Sequence, residues 1–443
     1  MMTSAPAIRP RWRVAGIVLV AMVISGGLSG CQVARAGTRC RTPGATAQDA
    51  RYVLLCQKGR WVRSMTKETA ARFLLAIIAD SRKPVAVAVG GGHACAVTKG
   101  GQVLCWGAND AGQLGDGTRT DRHRPIVVGG LPNGAGVVTG NAFTCMTVTT
   151  HIEDYHADMW CWGDNSSGQL GDGTTEGRTT PHAIPHPRDF GFFEPSAGGA
   201  HICAGNLRDE IECWGEGSSG ELGDGTASDY AFPVVIPNEH RFFNVAAGRA
   251  HTCASEFDLQ QIKCFGDNTY GQLGDGTTTS RAVPTTVVST AAFVYYSIAA
   301  GAGHTCAVGS VGYVMRVYCW GANDHGQLGD GTTISRTTPV MIDLATSQLA
   351  LGDRHSCAIN SAGAVLCWGA NDHGQLGDAT ATDRSAPTTV AGMTTTSSLS
   401  TGGDSTCAIT GGHLYCWGRN DHGQLGDGST VDRSAPTEVH LLG

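Results

Sequence analysis

From Val85 onward, apolar and polar positions alternate in short runs. Examples are "VAVAV" from Val85, "HACAV" from His93 and "VLCWG" from Val103. Period-two alternation over four to seven residues is the mark of a strand with one face buried. Each group of strands is followed by a long polar, glycine-rich stretch and then a "P-x-x-V" run such as "PTTV" from Pro387. The pattern returns seven times, and its aromatic anchors are Trp106, Trp162, Trp214, Phe265, Trp320, Trp368 and Trp417, spaced by 56, 52, 51, 55, 48 and 49 residues. A period near 50 with four short strands predicts radial sheet units, the blades of a propeller. One segment breaks the pattern. "TKETAARFLLAIIADS" is made of helix formers, with Thr66 placed to cap its start and Asp80-Ser81 to end it.

The glycine-rich stretch is itself nearly invariant, as in "WGANDAGQLGDGT" from Trp106, "WGDNSSGQLGDGT" from Trp162 and "WGEGSSGELGDGT" from Trp214. Its glycines allow turns at positive φ and close packing, its Asp can accept backbone N–H groups, and its Trp or Phe supplies a large apolar contact between neighbours. If each unit starts at its P-x-x-V strand, the first lacks that strand and "PTEVHLL" from Pro436 is left over. The expectation is that the C-terminal strand completes blade one and joins the two ends of the propeller.

The 17 cysteines sort by repeat. Seven pairs fall one to a blade: Cys95 with Cys105, Cys145 with Cys161, Cys203 with Cys213, Cys253 with Cys264, Cys306 with Cys319, Cys357 with Cys367, and Cys407 with Cys416. Cys40 and Cys56 form an eighth pair, and Cys31 stands apart. The Gly411-Gly412 turn sets Cys407 opposite Cys416, and three-residue loops containing Gly101 and Gly363 give the same register in blades one and six. Directly opposed strand residues lie within disulfide reach. Reduced cysteine or zinc ligation is the competing reading, but no C-x-x-C pair is present.

The H-x-C-A strand followed by C-W-G-x-N-x-x-G-Q-L-G-D-G-T resembles the regulator-of-chromosome-condensation repeat family over about residues 84 to 443. The resemblance implies an all-β, seven-bladed β-propeller with four-stranded blades, preceded here by a small disulfide hairpin and a short helix. Departures are small: Phe265 for Trp, Glu221 for Gln, Ala379 for Gly, and weaker forms of the His strand after Asn141 and Asp404. The founding member's nucleotide-exchange activity on a nuclear GTPase is not expected in an exported chain. A secreted bacterial relative that inhibits an extracellular enzyme shows another use of the fold.

The N-terminus has the order of an export signal: Arg9, Arg11 and Arg13, the apolar run "VAGIVLVAMVIS", then "LSGC" ending at Cys31. Leu28 to Cys31 resembles the bacterial lipoprotein lipobox, which implies cleavage before Cys31 and its acylation. Gln32 after it would suggest outer-membrane sorting. Cleavage after Ala34-Arg35-Ala36 is the alternative and would release a secreted protein. The domains expected are therefore a signal peptide over 1–30, a membrane-proximal segment over 31–83, and the propeller over 84–443. That middle segment reads equally as a spacer above the membrane or as a packing appendage. Losing three arginines takes the formal charge from −7 to −10, which argues against nucleic acid as a partner.

Candidate chemistry is sparse. His93, His201, His251, His304 and His355 recur at one repeat position and read as structural. His325, His373 and His422 sit in "NDHGQLGD" turns and read as solvated. The Asn and Asp residues do not have calcium-loop spacing, so no catalytic residue, metal or cofactor is expected. What varies is the loop between paired cysteines, long in blades two to five. Blades two to four bring Glu153, Asp154, Asp158, Asp209, Glu210, Glu212, Glu256 and Asp258 to one rim, with Tyr155, Trp160 and Phe257 beside them. Acid next to exposed aromatic suits a protein partner, while tolerated insertion into surface loops is the plain alternative. The reading is a non-enzymatic, monomeric envelope propeller that binds a protein or a surface glycan there. The alternatives are an inhibitor of an extracellular enzyme, an enzyme acting on envelope polysaccharide, and a purely structural surface protein.

Overall fold

The computed structural model describes residues 34–441 apart from 43–44, 49–50, 59, 150–156, 185–190, 207, 238–240, 257–260, 289–293 and 312–313. Cys31 and the expected signal peptide over 1–30 lie outside them. The chain divides between Arg82 and Lys83 into two compact units.

The first unit contains a three-stranded antiparallel sheet of Thr46–Gln48, Tyr52–Gln57 and Arg60–Thr66. The Cys40–Cys56 disulfide closes it, over a small core of Ala47, Leu54 and Trp61. The helix Lys67–Ser81 begins where expected: Thr66 is extended and its hydroxyl accepts the Thr69 N–H at 3.1 Å.

The second unit consists of seven four-stranded antiparallel sheets, each made from one continuous stretch of chain. Blade one runs Pro84–Val89, His93–Thr98, Val103–Gly107, Arg122–Val127, and blade seven runs Thr396–Gly402, Ser405–Thr410, His413–Gly418, Arg433–Val439. This corrects the expected phase. The P-x-x-V strand belongs to the blade before it, because the GQLGDGT loop folds back and lays that strand beside the C-W-G strand it has just left. In blade six, for example, Leu366 faces Thr389 and Gly369 faces Arg384. The C-terminal strand therefore completes blade seven. Blades seven and one join through side chains: Val89 N–H donates to Ser400 Oγ at 3.0 Å and Val439 packs in one cluster with Leu104 and Trp106.

The fourth, outermost strand has an edge open to solvent. Every one carries a proline at the same place: Pro125, Pro181, Pro233, Pro284, Pro339, Pro387 and Pro436. Proline removes a donor from an exposed edge and blocks pairing with another strand.

The cysteines of each blade sit directly opposite one another in the two middle strands, and all seven pairs are bonded at a Cα separation of 4.1 Å. All fourteen are buried.

The apolar core is divided among seven clusters, each lying between two neighbouring blades. At each boundary, the aromatic of one blade enters the long loop of the blade before it. Trp162 Nε1–H donates to the Gln113 carbonyl at 2.8 Å, Trp320 to Gln272 at 2.8 Å, and Trp106 closes the ring onto Gln424 at 2.8 Å. The glycine two residues after each Gln leaves room for the indole. A Cβ on Gly274 would stand 2.8 Å from Trp320 Nε1, and its φ of +68° is already strained for any other residue.

Replacing Trp320 with Phe should lower stability by about 0.5–1.5 kcal/mol, the net value of one buried hydrogen bond. Gly274→Ala should cost more than that, from overpacking and backbone strain together. Denaturant midpoints at constant slope check the order. Removing one bridge as Cys306→Ala with Cys319→Ala should cost about 2–5 kcal/mol, and thiol-reactive dye should label none of the paired cysteines, even in denaturant, until a reductant is added.

Candidate functional site

The chain reverses at every strand, so the propeller has two different faces. One carries the first-to-second strand turns and the long NDxGQLGDGT loops. The other carries the hairpin loops between the paired cysteines and the connections to the next blade.

The described residues among those expected at the rim belong to the strands and loops on this second face, apart from the two corrected below. Glu153, Asp154, Tyr155, Phe257 and Asp258 lie outside the described residues. Asp158 is exposed, and Trp160 is half-buried against the blade one–two cluster. Asp209 pairs loosely with Arg241 at 3.4 Å, both more than half exposed, and Glu210 accepts a hydrogen bond from Asn206 Nδ2 at 3.0 Å. Glu212 and Glu256 do not reach the rim and are corrected here. Glu212 faces into the blade, where Asn206 Nδ2 donates to it at 2.9 Å. Glu256 is fully buried with Lys263 Nζ 3.2 Å away. Both lie in the middle strands Ile211–Gly215 and His251–Glu256, which are buried along their whole length.

On the other face the long loop is a closed polar network. In blade one, Asn109 Nδ2 reaches Asp116 Oδ1 and the Thr118 and Thr120 carbonyls, and Asn109 Oδ1 accepts the Leu114 N–H. Arg122 then grips Asp116 at 2.7 Å. Burial by itself would raise the Asp116 carboxyl, but hydrogen bonds from Thr118 and Arg122 hold it below the usual carboxylate range. The same set recurs at Asp172, Asp275, Asp330, Asp378 and Asp427. Blade three departs from it, with Gly217 for Asn, Glu221 for Gln and Tyr230 for Arg.

The five recurrent histidines are joints between blades. His93 Nε2 meets Thr144 Oγ1 of the next blade at 2.8 Å, and Thr144 Oγ1 donates onward to the Gln113 carbonyl at 2.9 Å. The hydroxyl therefore accepts from His93 Nε2–H, which fixes the neutral tautomer. His201, His251, His304 and His355 repeat the bond to Thr252, Thr305, Ser356 and Thr406. Each Nδ1 is buried with no hydrogen-bond partner. Burial pushes the imidazoles of His93, His251 and His355 down to about 4, and those of His201 and His304 to about 3. These rings stay neutral through the physiological range.

The turn histidines are more than solvated side chains. His325 Nδ1 meets Asp383 of the next blade at 2.8 Å, His373 meets Asp432 at 2.8 Å, and His422 meets Asp121 at 3.0 Å. The sequence holds the signal, because an Asp before the Arg of the following fourth strand accompanies each of these histidines.

Around the axis, backbone N–H groups of one turn donate to carbonyls of the next blade, as in Asn141 to Gly199, Arg249 to Gly301 and Asp353 to Gly403. They surround a cavity of about 70 Å³, well under the roughly 300 Å³ at which ligand pockets begin. Its mouth carries charge that sequence reasoning passed over. Arg249 lies 3.7 Å from Asp353, whose carboxyl is pushed up by burial against the pull of Arg249. Arg354 lies 3.3 Å from both Asp372 and Asp404, and Arg419 grips Asp421 at 2.7 Å.

A ring of seven four-stranded blades, stapled within by disulfides and joined by indole–carbonyl bonds, defines a β-propeller of a repeat class. The Regulator of chromosome condensation (RCC1) repeat matches residues 100–146, 157–204, 213–255, 264–308, 316–359, 362–409 and 411–443, and the chain belongs to that family. Most matched repeats run from the third strand of one blade to the second strand of the next, so the repeating unit contains a joint. Among curated proteins, the chain is 32% identical over 293 residues to the ultraviolet-B receptor UVR8 of Arabidopsis thaliana, covering 65% of each. It is 29% identical over 289 residues to the E3 ubiquitin-protein ligase HERC2 of Homo sapiens, covering 62% of this chain and 6% of that one. The matches thus span less than two thirds of these relatives. Human WBSCR16 shares the fold at 22% identity and TM-score 0.67, over 76% of this chain and 94% of that one. Yeast RCC1 (Prp20), solved bound to Kap60, does so at 20% and 0.67, over 81% and 84%.

Neutral histidines predict an acid limit. Their pKa in the fold lies below the 6.5 of a free imidazole, so their contribution is whole above pH 6.5 and is lost as pH falls toward about 4. The melting temperature should drop across that window. The blade two–three joint has Phe143 and Ile202 in place of a His–Thr pair. A His251→Phe, Thr305→Ile double variant should therefore melt with a shallower pH dependence than the native protein.

Proposed function

We propose that this chain is a non-enzymatic protein-interaction propeller that works in an oxidising compartment outside the cytoplasm, tethered to the cell envelope by lipid on Cys31. The observation that carries the compartment is the set of eight disulfides, which persist where thiols are not kept reduced. Among the described residues no helix is long and apolar enough to cross a membrane, and attachment through the lipobox cysteine rests on the sequence alone.

Binding, rather than catalysis, is supported by where the polar groups are used. The recurrent His, Asn, Gln, Asp and Arg side chains are committed to one another within loops and across joints, which leaves the varied loops as the part of each blade free to serve recognition. The relatives fit this reading: yeast RCC1 was solved bound to Kap60, and the plant relative is a receptor. The rim of blades two to four is the surface proposed, with Asp158, Asp209 and Glu210 as the acidic contacts exposed or half-exposed there.

The test is capture of partners from envelope extract by the mature protein, beside an Asp158→Lys, Asp209→Lys, Glu210→Lys variant and an Arg354→Glu, Arg419→Glu variant of the opposite face. Loss of a specific partner with the first variant alone is expected. Loss with the second alone would move recognition to the channel mouth, and equal capture by all three would overturn the rim assignment.

A further inference from the structure

Six of the seven long loops contain Gln at one position, and its amide has a fixed task. In blade two, Gln169 Oε1 accepts the Ser167 N–H at 2.9 Å and Gln169 Nε2 donates to Asp164 at 2.8 Å. In blade four, Gln272 does the same with Tyr270 N–H and Asp267, at 2.9 and 2.8 Å. In these two blades the acidic acceptor is the residue directly after W-G or F-G. In the other four it is the Asp that follows the loop Asn, as Asp110 is for Gln113. In blade three the residue after W-G is Glu216, and the Gln is replaced by Glu221. Glu221 Oε2 accepts the Ser219 N–H at 2.7 Å, which leaves Oε1 where the other blades hold an NH₂ group. Glu221 is fully buried, and Oε1 has no hydrogen-bond partner.

We propose that blade three is held by a proton-operated clasp, in which the carboxyl of Glu221 must carry a proton to donate to Glu216 and so replace the amide of the other blades.

The surroundings offer no substitute for that proton. The charged groups facing Glu221 on its own loop are Glu216 and Asp229, both acidic. Across the joint, blade four presents Thr252, whose hydroxyl donates to the Glu221 carbonyl at 2.8 Å, and Gly266, whose Cα hydrogen points toward the Glu221 backbone. His201 borders the same joint as a neutral ring, and His251, also neutral, turns toward Thr305 in the next joint. Among the described residues no ion pair involves Glu221. Burial, reinforced by Glu216 and Asp229 and opposed by the backbone hydrogen bonds, pushes the Glu221 carboxyl up to about 7.

The clasp also sits at the joint with the fewest alternatives. Gly217 removes the Asn that ties the other loops together, and Tyr230 removes the Arg that grips the GDGT aspartate. Phe265 enters this loop with no N–H to donate to the Glu221 carbonyl. Loss of the proton therefore leaves a buried carboxylate facing another, in the loop least able to absorb it.

The sign follows from the folded value lying above the 4.5 of a free glutamate. The stabilisation is full below pH 4.5 and is lost as pH rises through about 7. Its upper bound is roughly a 300-fold change in the opening equilibrium of the loop, because each pH interval of one between the free and folded values is worth a factor of about ten.

The experiment is amide hydrogen exchange of the full chain over 217–225 between pH 5 and 9, corrected for intrinsic rates, on the native protein, Glu221→Gln and Glu216→Gln. The native loop should lose protection by one to two orders of magnitude between pH 5 and about 7 and level off above that, with the corresponding loop of blade two unchanged. Glu221→Gln restores the amide, and Glu216→Gln supplies a donor to an ionised Glu221, so both variants should hold their protection to pH 9. A native loop with pH-independent protection, or variants that lose protection in parallel with it, would overturn the clasp. The two substitutions approach the pair from opposite sides, so failure of one to fold leaves the other decisive.

Discussion

The structure depends on one contact made again at six of the seven blade boundaries: an indole N–H of one blade donating to the Gln carbonyl in the loop of the blade before it. A four-stranded blade cannot bury both of its faces alone. The side chains that fill the gap must therefore be held in register by something directional, since apolar packing is not. The buried indole supplies both. Its ring fills the interblade cluster, and its N–H can be satisfied only if the preceding loop offers a carbonyl at one place. That requirement propagates outward. The glycine after Gln-Leu must lack a side chain, the Asn must hold the loop from within, and the Asp–Arg pair must lock its far end to the fourth strand.

The same logic explains which irregularities the ring tolerates. The histidine joint is absent at two boundaries, blade two to three and blade seven to one, and at both the partner hydroxyl is absent as well. Phe143 faces Ile202, and Ser405 precedes a blade that has Ala94 where five of the blades have Thr or Ser. A buried donor without its acceptor is the expensive case, whereas replacing both by apolar groups is close to neutral. Joints are thus gained and lost as pairs of residues some fifty positions apart. Blade three keeps its His–Thr bond but has lost three polar members of its loop, so its boundary with blade four relies most on the proton at Glu221.

Much of this was legible in the sequence because the repeat samples each position seven times. The strands, the blade count, the seven blade cysteine pairs and the structural character of the five histidines follow from comparing copies, while the cap at Thr66 follows from local helix signals outside the repeat. What misled was phase. A cyclic pattern has no natural start, so the P-x-x-V strand could be assigned to either neighbour, and the sheet hydrogen bonds that decide it join residues on the two sides of the loop. Burial at the rim misled as well. Glu212 and Glu256 lie beside loops rich in acid, but they belong to middle strands that neighbouring blades bury on both faces. The His–Asp bridges at three joints were visible as a co-occurrence between one turn and the next blade.

A ring built in this way separates stability from recognition. Every recurrent polar group is spent on a bond that some other blade also makes, so a change at any of them is felt by the joint. The loops between paired cysteines carry no such duty, because each disulfide fixes the hairpin below its loop. Cys145 and Cys161 hold their strands in register whatever lies between Thr149 and Ala157. Length and charge can then vary at a loop tip without disturbing the two strands that carry it. The bridges therefore do more than add stability: they let blades two to five carry long loops on a ring whose joints stay the same.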